Sequence, residues 1–267
     1  MQMNRVLRRV LALSAAGLLF TAIPATAAEA SGGVNDFSCR PTAAHPRPVV
    51  TAHGLFGNGP GNFLAIAPLL ASKGYCVFTP TYGQSVIPGI GGTDYVQNSA
   101  KEFGSYIDKV LTATGAAKVD VVGHSEGGIM PRYYLKYLGG AAKVNHFVAL
   151  APPNHGTTMS GIAELAKLFP GAAQLLVGGL CKSCLQLIRD SDFIRDLNAG
   201  GETQPGVRYT VIVSTTDFLV TPTSTSFLTG PNVRNIVIQD EHPGVFIGHI
   251  QLAYDPISIG YVTAALA

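Results

Sequence analysis

Three observations predict an α/β fold with a mostly parallel central sheet, helices on both faces and a small cap segment. Short β-branched runs alternate with stretches of helical period along most of the chain. A glycine-flanked serine closes one of the apolar runs at 123–127, and the rhythm lapses once, between Pro152 and Gly206. Composition agrees, because 47% hydrophobic against 13% charged residues is the balance of a chain that buries a core, and it sets disorder aside. A formal net charge of +2, with no Lys/Arg run after the first residues, offers no electrostatic footprint for nucleic acid.

Residues 1–30 read as a secretory signal that is removed. Arg5, Arg8 and Arg9 precede an apolar run over 10–23, and Ala25-Thr26-Ala27 supplies small residues for cleavage. The run is shorter than the ~20 residues that span a bilayer, and Pro24 follows it, so export is expected rather than a stable membrane anchor. Residues 31–267 are then expected to form a single domain. Export puts Cys39, Cys76, Cys181 and Cys184 in an oxidising compartment, where an even number of cysteines pairs. A zinc reading of Cys181-Lys182-Ser183-Cys184 would need a second ligand pair, whereas Cys39 and Cys76 stand far apart and singly. The expected bridges are Cys39–Cys76 and Cys181–Cys184.

Residues 48–52 form the first clear strand. Phe63, Ile66, Ala67 and Leu70 give 61–73 a helical period that ends at Gly74, and 76–79 is the next strand. A long helix over 94–114, a buried strand over 119–122 and a helix over 127–138 follow, then strands over 144–150, 209–214 and 233–239 and a short closing helix. Between 152 and 206 the chain carries helical patches, Gly-rich turns and the Cys181/Cys184 pair. A connection of this length in a compact domain usually has a function, and a cap over an active site is the expectation; the alternative is an excursion packed on the sheet edge.

Gly123-His124-Ser125-Glu126-Gly127 matches G-x-S-x-G, a weak signal alone that its context strengthens. A buried strand runs into it and an apolar helix leaves it, the strand–turn–helix that places a serine at the apex of a tight turn. A serine hydroxyl is a poor nucleophile at its free pKa, so a histidine base and an orienting carboxylate are required, and in this context they follow in the order acid, then base. Asp217, just past the strand 209–214, sits where sites of open α/β sheets gather and is the preferred acid. Asp240 and Glu241 are its rivals, and Asp190, Asp192 and Asp196 read as solvated charges of the cap segment. His146 and His155 precede the acid and are assigned structural roles. His249, in the loop after the last strand, is preferred over His242 as base, and His53 and His124 are read as orienting or packing residues. Backbone donors for an oxyanion are expected from Glu126, after the nucleophile, and from Leu55 in His53-Gly54-Leu55-Phe56-Gly57 after the first strand.

These segments resemble the class 2 lipases, secreted bacterial α/β-hydrolases with a compact sheet. The resemblance rests on HGLFGN followed by NF at 53–63, DVVGHSEGG at 120–128, PPNHGT at 152–157, LN and GGET at 197–203, YTVIVSTTDFLVTP at 209–222 and GHIQLAYDP at 248–256. It implies Ser125 as nucleophile, Asp217 as acid, His249 as base, oxyanion amides from Leu55 and Glu126, and hydrolysis of carboxylic esters, acylglycerols included. The Cys181–Cys184 bridge fits actinobacterial members. Glu126 departs from the uncharged Gln or Met more familiar at that position; its backbone donor survives the change, and its carboxyl bears on the pH optimum rather than on the reaction.

Triacylglycerol lipase activity is therefore the leading expectation, with no metal and no cofactor required. The expected partners are lipid or small-molecule esters with transient contact at a lipid interface, and neither nucleic acid nor a membrane anchor. Leu165, Leu168, Phe169, Leu175, Leu176, Val177 and Leu180, with Phe56 and Phe218, would suit an acyl chain or equally a buried core. A short-chain esterase or polyester hydrolase would use the same three residues. An inactive hydrolase-like binding protein is the alternative of another class, and it would usually have lost Ser125, Asp217 or His249.

Overall fold

The structure is a computed structural model that describes residues 33–84 and 86–267; the signal reading of 1–30 lies outside the described residues. In chain order the elements are β1 (Val49–Ala52), α1 (Gly59–Asn62), α2 (Ile66–Ser72), β2 (Val77–Phe78), α3 (Val96–Thr114), β3 (Val119–His124), α4 (Met130–Tyr137) and β4 (Val144–Leu150). Four helices follow, α5 (Met159–Lys167), α6 (Ala172–Val177), α7 (Lys182–Gln186) and α8 (Asp192–Asn198), and then β5 (Arg208–Val213), β6 (Val233–Val237), α9 (Ile238–Glu241) and α10 (Pro256–Leu266).

The six strands pair in the order β2-β1-β3-β4-β5-β6, and every pair is parallel. Side chains alternate between two buried faces, which is why the strands read as continuous apolar runs. Val50, Val121, Phe147 and Val211 enter one core with Phe103 and Ile107 of α3, while Val49, Val122, Val148 and Ile212 enter the other with Ile66 and Leu70 of α2 and Val262 of α10. The order runs from β1 outward to β2 and then back across β1 to β3. The resulting reversal opens a crevice at the carboxyl ends of β1 and β3, where the connecting loops part to opposite sides.

Differences from the expected elements have local causes. The stretch 61–73 is two helices. Asn58 caps α1 by accepting from the Gly61 amide, the Phe63 amide closes that turn on the Gly59 carbonyl, and α2 starts three residues later. The helix after the serine begins one turn late as α4, because 125–128 winds as a tighter 3₁₀ turn. After β6 the chain coils at once into α9 instead of extending to residue 239.

Both disulfides form as paired above. Cys39–Cys76 ties the segment before β1 to the start of β2, and Cys181–Cys184 closes the first turn of α7. The two ends of the long connection between β4 and β5 meet at one buried side chain. Arg132 of α4 donates to Oδ1 of Asn154 (3.2 Å), to Oδ1 of Asn198 (2.6 Å) and to the Glu202 carbonyl (3.2 and 3.3 Å). Asn198 in turn donates to the Asn154 carbonyl at 2.9 Å. The PPNHGT patch and the adjacent LN and GGET patches, some forty residues further on in sequence, therefore converge on a single guanidinium.

Candidate active site

Ser125 stands at the end of β3 in the left-handed region, φ +57°, a conformation that costs a non-glycine residue of order 1 kcal/mol or more. The flanking glycines make that turn sterically feasible. A Cβ on Gly123 would lie 1.9 Å from the Gly127 carbonyl oxygen, and one on Gly127 would lie 1.9 Å from the Ala52 carbonyl oxygen. Main chain is thus pressed directly on main chain between β3, the turn and β1, and no side chain larger than hydrogen fits there.

Asp217 follows β5 through a tight turn, with its amide donating to the Ser214 carbonyl. One carboxylate oxygen accepts from the amides of Leu219 (2.8 Å) and Val220 (3.1 Å), and the other lies 2.7 Å from His249 Nδ1. Burial pushes the Asp217 pKa up, but the His249 ring and these three hydrogen bonds outweigh it and hold the group below its ordinary value. The loop bearing His249 is stitched to the loop bearing Asp217. Thr216 Oγ1 accepts from the Ile247 amide at 2.9 Å, and Gln251 Oε1 accepts from the Gly248 amide at 2.6 Å. His249 and Asp217 are both buried, and the second ring nitrogen of His249, Nε2, has no partner among the described residues.

Ser125 and His249 line a common cavity of about 220 Å³ with Leu55, Asn62, Leu165, Phe169 and Tyr254. A second, much smaller cavity of about 20 Å³ opens beside the same pair, walled by Ile162, Leu187, Leu219 and Val220. A wider groove lined by Tyr95, Tyr133 and Phe193 shares no residue with either and holds no nucleophile–base pair. The amide of Leu55 donates to no acceptor among the described residues, and that of Glu126 lies in the first turn of the 3₁₀ helix, where no preceding carbonyl serves it.

Two histidines beside the site are held neutral by burial, His53 with a pKa lowered to about 4 and His124 with one lowered to about 3. His53 accepts from the Tyr82 amide at 3.2 Å and stacks on the Tyr82 ring. Glu126 turns its carboxyl inward beneath the Gly54–Leu55 loop. Both oxygens are buried without a partner among the described residues, and burial raises the pKa well above the ordinary carboxylate value. Burial therefore favours the uncharged acid form of this group behind the serine.

The rival residues lie elsewhere. Asp240 and Glu241 are exposed on α9, where Glu241 accepts from the Tyr261 hydroxyl. His242 follows them, half-buried against Tyr261. His146 bonds Thr210 within the sheet, and His155 pairs with Glu202 at 2.7 Å. Asp190, Asp192 and Asp196 are exposed. Of the apolar set, Leu165 and Phe169 line the cavity, Phe56 and Leu175 are core, and Leu168, Val177, Leu180 and Phe218 are exposed. Asn62 is the site residue that sequence reasoning passed over. Its signal was its place in the HGLFGN…NF patch, but helical period alone made it an ordinary position within a helix.

Among solved structures, the chain is similar to a lipase B of Aspergillus fumigatus (TM-score 0.67, 23% identity, 82% of this chain and 52% of that one). It is also similar to a mature Bacillus licheniformis lipase (TM-score 0.63, 16% identity, 89% and 96%). Topology and neighbours together define the α/β-hydrolase fold. Residues 46–255 match the class 2 lipases, and the chain belongs to that family. Among curated relatives, it is 32% identical over 124 residues to a triacylglycerol lipase of Burkholderia plantarii, covering 45% of this chain and 30% of that protein. It is 33% identical over 96 residues to a triacylglycerol lipase of Pseudarthrobacter phenanthrenivorans, covering 34% and 28%. The matched segments thus span less than a third of either relative.

Proposed function

We propose that the protein is an exported serine hydrolase of carboxylic esters, with acylglycerols as its substrates. The observation that carries this reading is the shared cavity of Ser125 and His249, with Asp217 2.7 Å behind the imidazole. The Asp217 bond leaves the proton of a neutral His249 on Nδ1, so Nε2 is the free base of a ring that lines the cavity with Ser125. In the reaction His249 Nε2 takes the Ser125 proton as Oγ attacks the ester carbonyl, and Asp217 stabilises the imidazolium that forms. The Leu55 and Glu126 amides receive the developing oxyanion. Collapse of the tetrahedral intermediate passes the proton to the departing alcohol, and water, activated by the same base, then releases the acid.

The connection over 152–206 serves as a cap, a role supported by Leu165 of α5 and Phe169 just after it, which wall the cavity over the serine. Export is supported by the two disulfides and the basic and apolar start of the chain. Among the described residues no helix is long and apolar enough to cross a membrane. Phe218 and Phe246 pack ring against ring, both mostly exposed, in the loops that carry Asp217 and His249; they are the contact for a lipid interface.

The size of the cavity favours a second reading, a short-chain esterase. A volume of about 220 Å³ is below the roughly 300–1,000 Å³ typical of drug-sized ligand pockets, so a long acyl chain requires the cap to move. Hydrolysis of p-nitrophenyl butyrate, p-nitrophenyl palmitate and emulsified triolein, beside a Ser125→Ala control, tests both. Fatty acid released from triolein and abolished in the control is the expected result. Cleavage of butyrate alone selects the esterase, and turnover that survives Ser125→Ala defeats both readings.

A further inference from the structure

Behind the candidate triad, a chain of hydrogen bonds joins three loops that the sequence keeps far apart. Asn62, at the end of α1, accepts from the Gly54 amide through Oδ1 at 2.7 Å. Its Nδ2 lies 3.1 Å from His124 Nδ1, and His124 Nε2 lies 2.9 Å from the main-chain carbonyl of His249. The polarity of this chain is fixed from both ends. A backbone amide only donates, so the oxygen of Asn62 faces Gly54. A backbone carbonyl only accepts, so the proton of His124 is on Nε2. A neutral His124 must then accept at Nδ1, where Asn62 Oδ1 also lies at 3.2 Å but cannot donate, so among the described residues the donor there is the Asn62 amide. The ring is buried, which favours the neutral form this arrangement needs.

The two ends matter for chemistry. Gly54 precedes Leu55, whose amide is an oxyanion donor in the reading above, and a Cβ on Gly54 would lie 3.0 Å from Ser125 Cβ. The carbonyl at the other end belongs to His249 itself, whose ring stands 5.0 Å from that of His124. We propose that Asn62 and His124 are positioning residues that hold the oxyanion loop and the base loop in register across the nucleophile. They give and take no proton in the reaction. Asp217 sets the His249 ring, and His124 sets the main chain from which that ring projects. The assignment rests on the serine-hydrolase reading.

The test uses the full mature protein and soluble p-nitrophenyl butyrate, with kcat expressed per active site titrated by a phosphonate ester and the melting temperature measured in parallel. Asn62→Leu and His124→Phe are expected to lose about 10–100-fold in kcat, with KM changed by no more than about threefold. His124→Gln keeps a donor near the Nε2 position and is expected to recover most of the loss. The double variant is expected to fall short of the product of the single losses, because both substitutions break one chain. If Asn62→Leu does not fold, Asn62→Asp keeps the acceptor for Gly54, removes the donor to His124 and carries the same expectation. Variants with wild-type kcat per titrated site, or His124→Gln no better than His124→Phe, would overturn the positioning role while leaving the hydrolase reading intact. A wild-type protein with no Ser125-dependent turnover would remove both.

Discussion

The two halves of the candidate site are held by different forces. The Ser125 turn is fixed by contact, with bare main chain packed between β1 and β3 so closely that two glycines leave no space for a methyl group. The Asp217 and His249 loops are fixed by directional bonds, from the Leu219, Val220, Ile247 and Gly248 amides and from the imidazole. Contact tolerates no added atom and is insensitive to charge. Hydrogen bonding tolerates isosteric change but depends on which atoms carry protons. The comparison teaches that an alteration of similar size should act on folding in one half and on rate in the other.

Gly127→Ala should break the first half. Its Cβ would meet a strand carbonyl that cannot retreat, so the melting temperature is expected to fall by roughly 10 °C or more, or the soluble protein to be lost. A variant melting within a few degrees of wild type would show that the elbow has slack. Asp217→Asn should break the second half without touching the first. The Asn oxygen can still accept from Leu219 and Val220, so the protein stays folded, while the wrong partner for His249 lowers kcat by about ten-thousand-fold. Equal loss of melting temperature and rate would mean that the acid is chiefly a structural residue.

Glu126 offers the smallest effect and the sharpest probe, because it places a titratable group inside the contact-held half. Its folded pKa is raised by burial, so the folded chain keeps a proton that the unfolded chain releases above about 4.5. The resulting loss of stability begins as pH rises through the unfolded value and grows until the folded group itself ionises. Glu126→Gln should therefore melt higher than wild type at pH 7–8, by a few degrees at about 2–4 °C per kcal/mol, and converge with it near pH 4. A difference that does not vary with pH would assign the effect to packing.

The contact-held half was the more legible in the sequence. Gly123, Ser125 and Gly127 are close neighbours in the chain, and although Gly127 is also pressed by the Ala52 carbonyl of β1, the pattern they make is complete within five residues. The bond-held half could only be ranked. Asp217 and His249 are 32 residues apart, and nothing local separates them from Asp240 or His242 until the sheet brings their loops together. Asn62 stood in a quoted patch but without a role for the same reason, since its partners Gly54 and His124 are neighbours only in space. The split of 61–73 into two helices follows from Pro68, which has no amide for the Leu64 carbonyl and stands in the first turn of α2 instead of the interior of one longer helix.

The convergence of Asn154, Asn198 and Glu202 on Arg132 bears on how such a chain diversifies. Both ends of the 152–206 excursion are moored at one guanidinium on α4, while Leu175, Cys184 and Leu187 between them are buried in the same core as Val121 and Phe147 of the sheet. Exchanges at its exposed positions, such as Leu168 and Val177, leave that core intact, whereas an insertion or deletion that displaces the buried ones costs the sheet its cover. Substrate range and scaffold stability are therefore coupled through the inner face of this one segment.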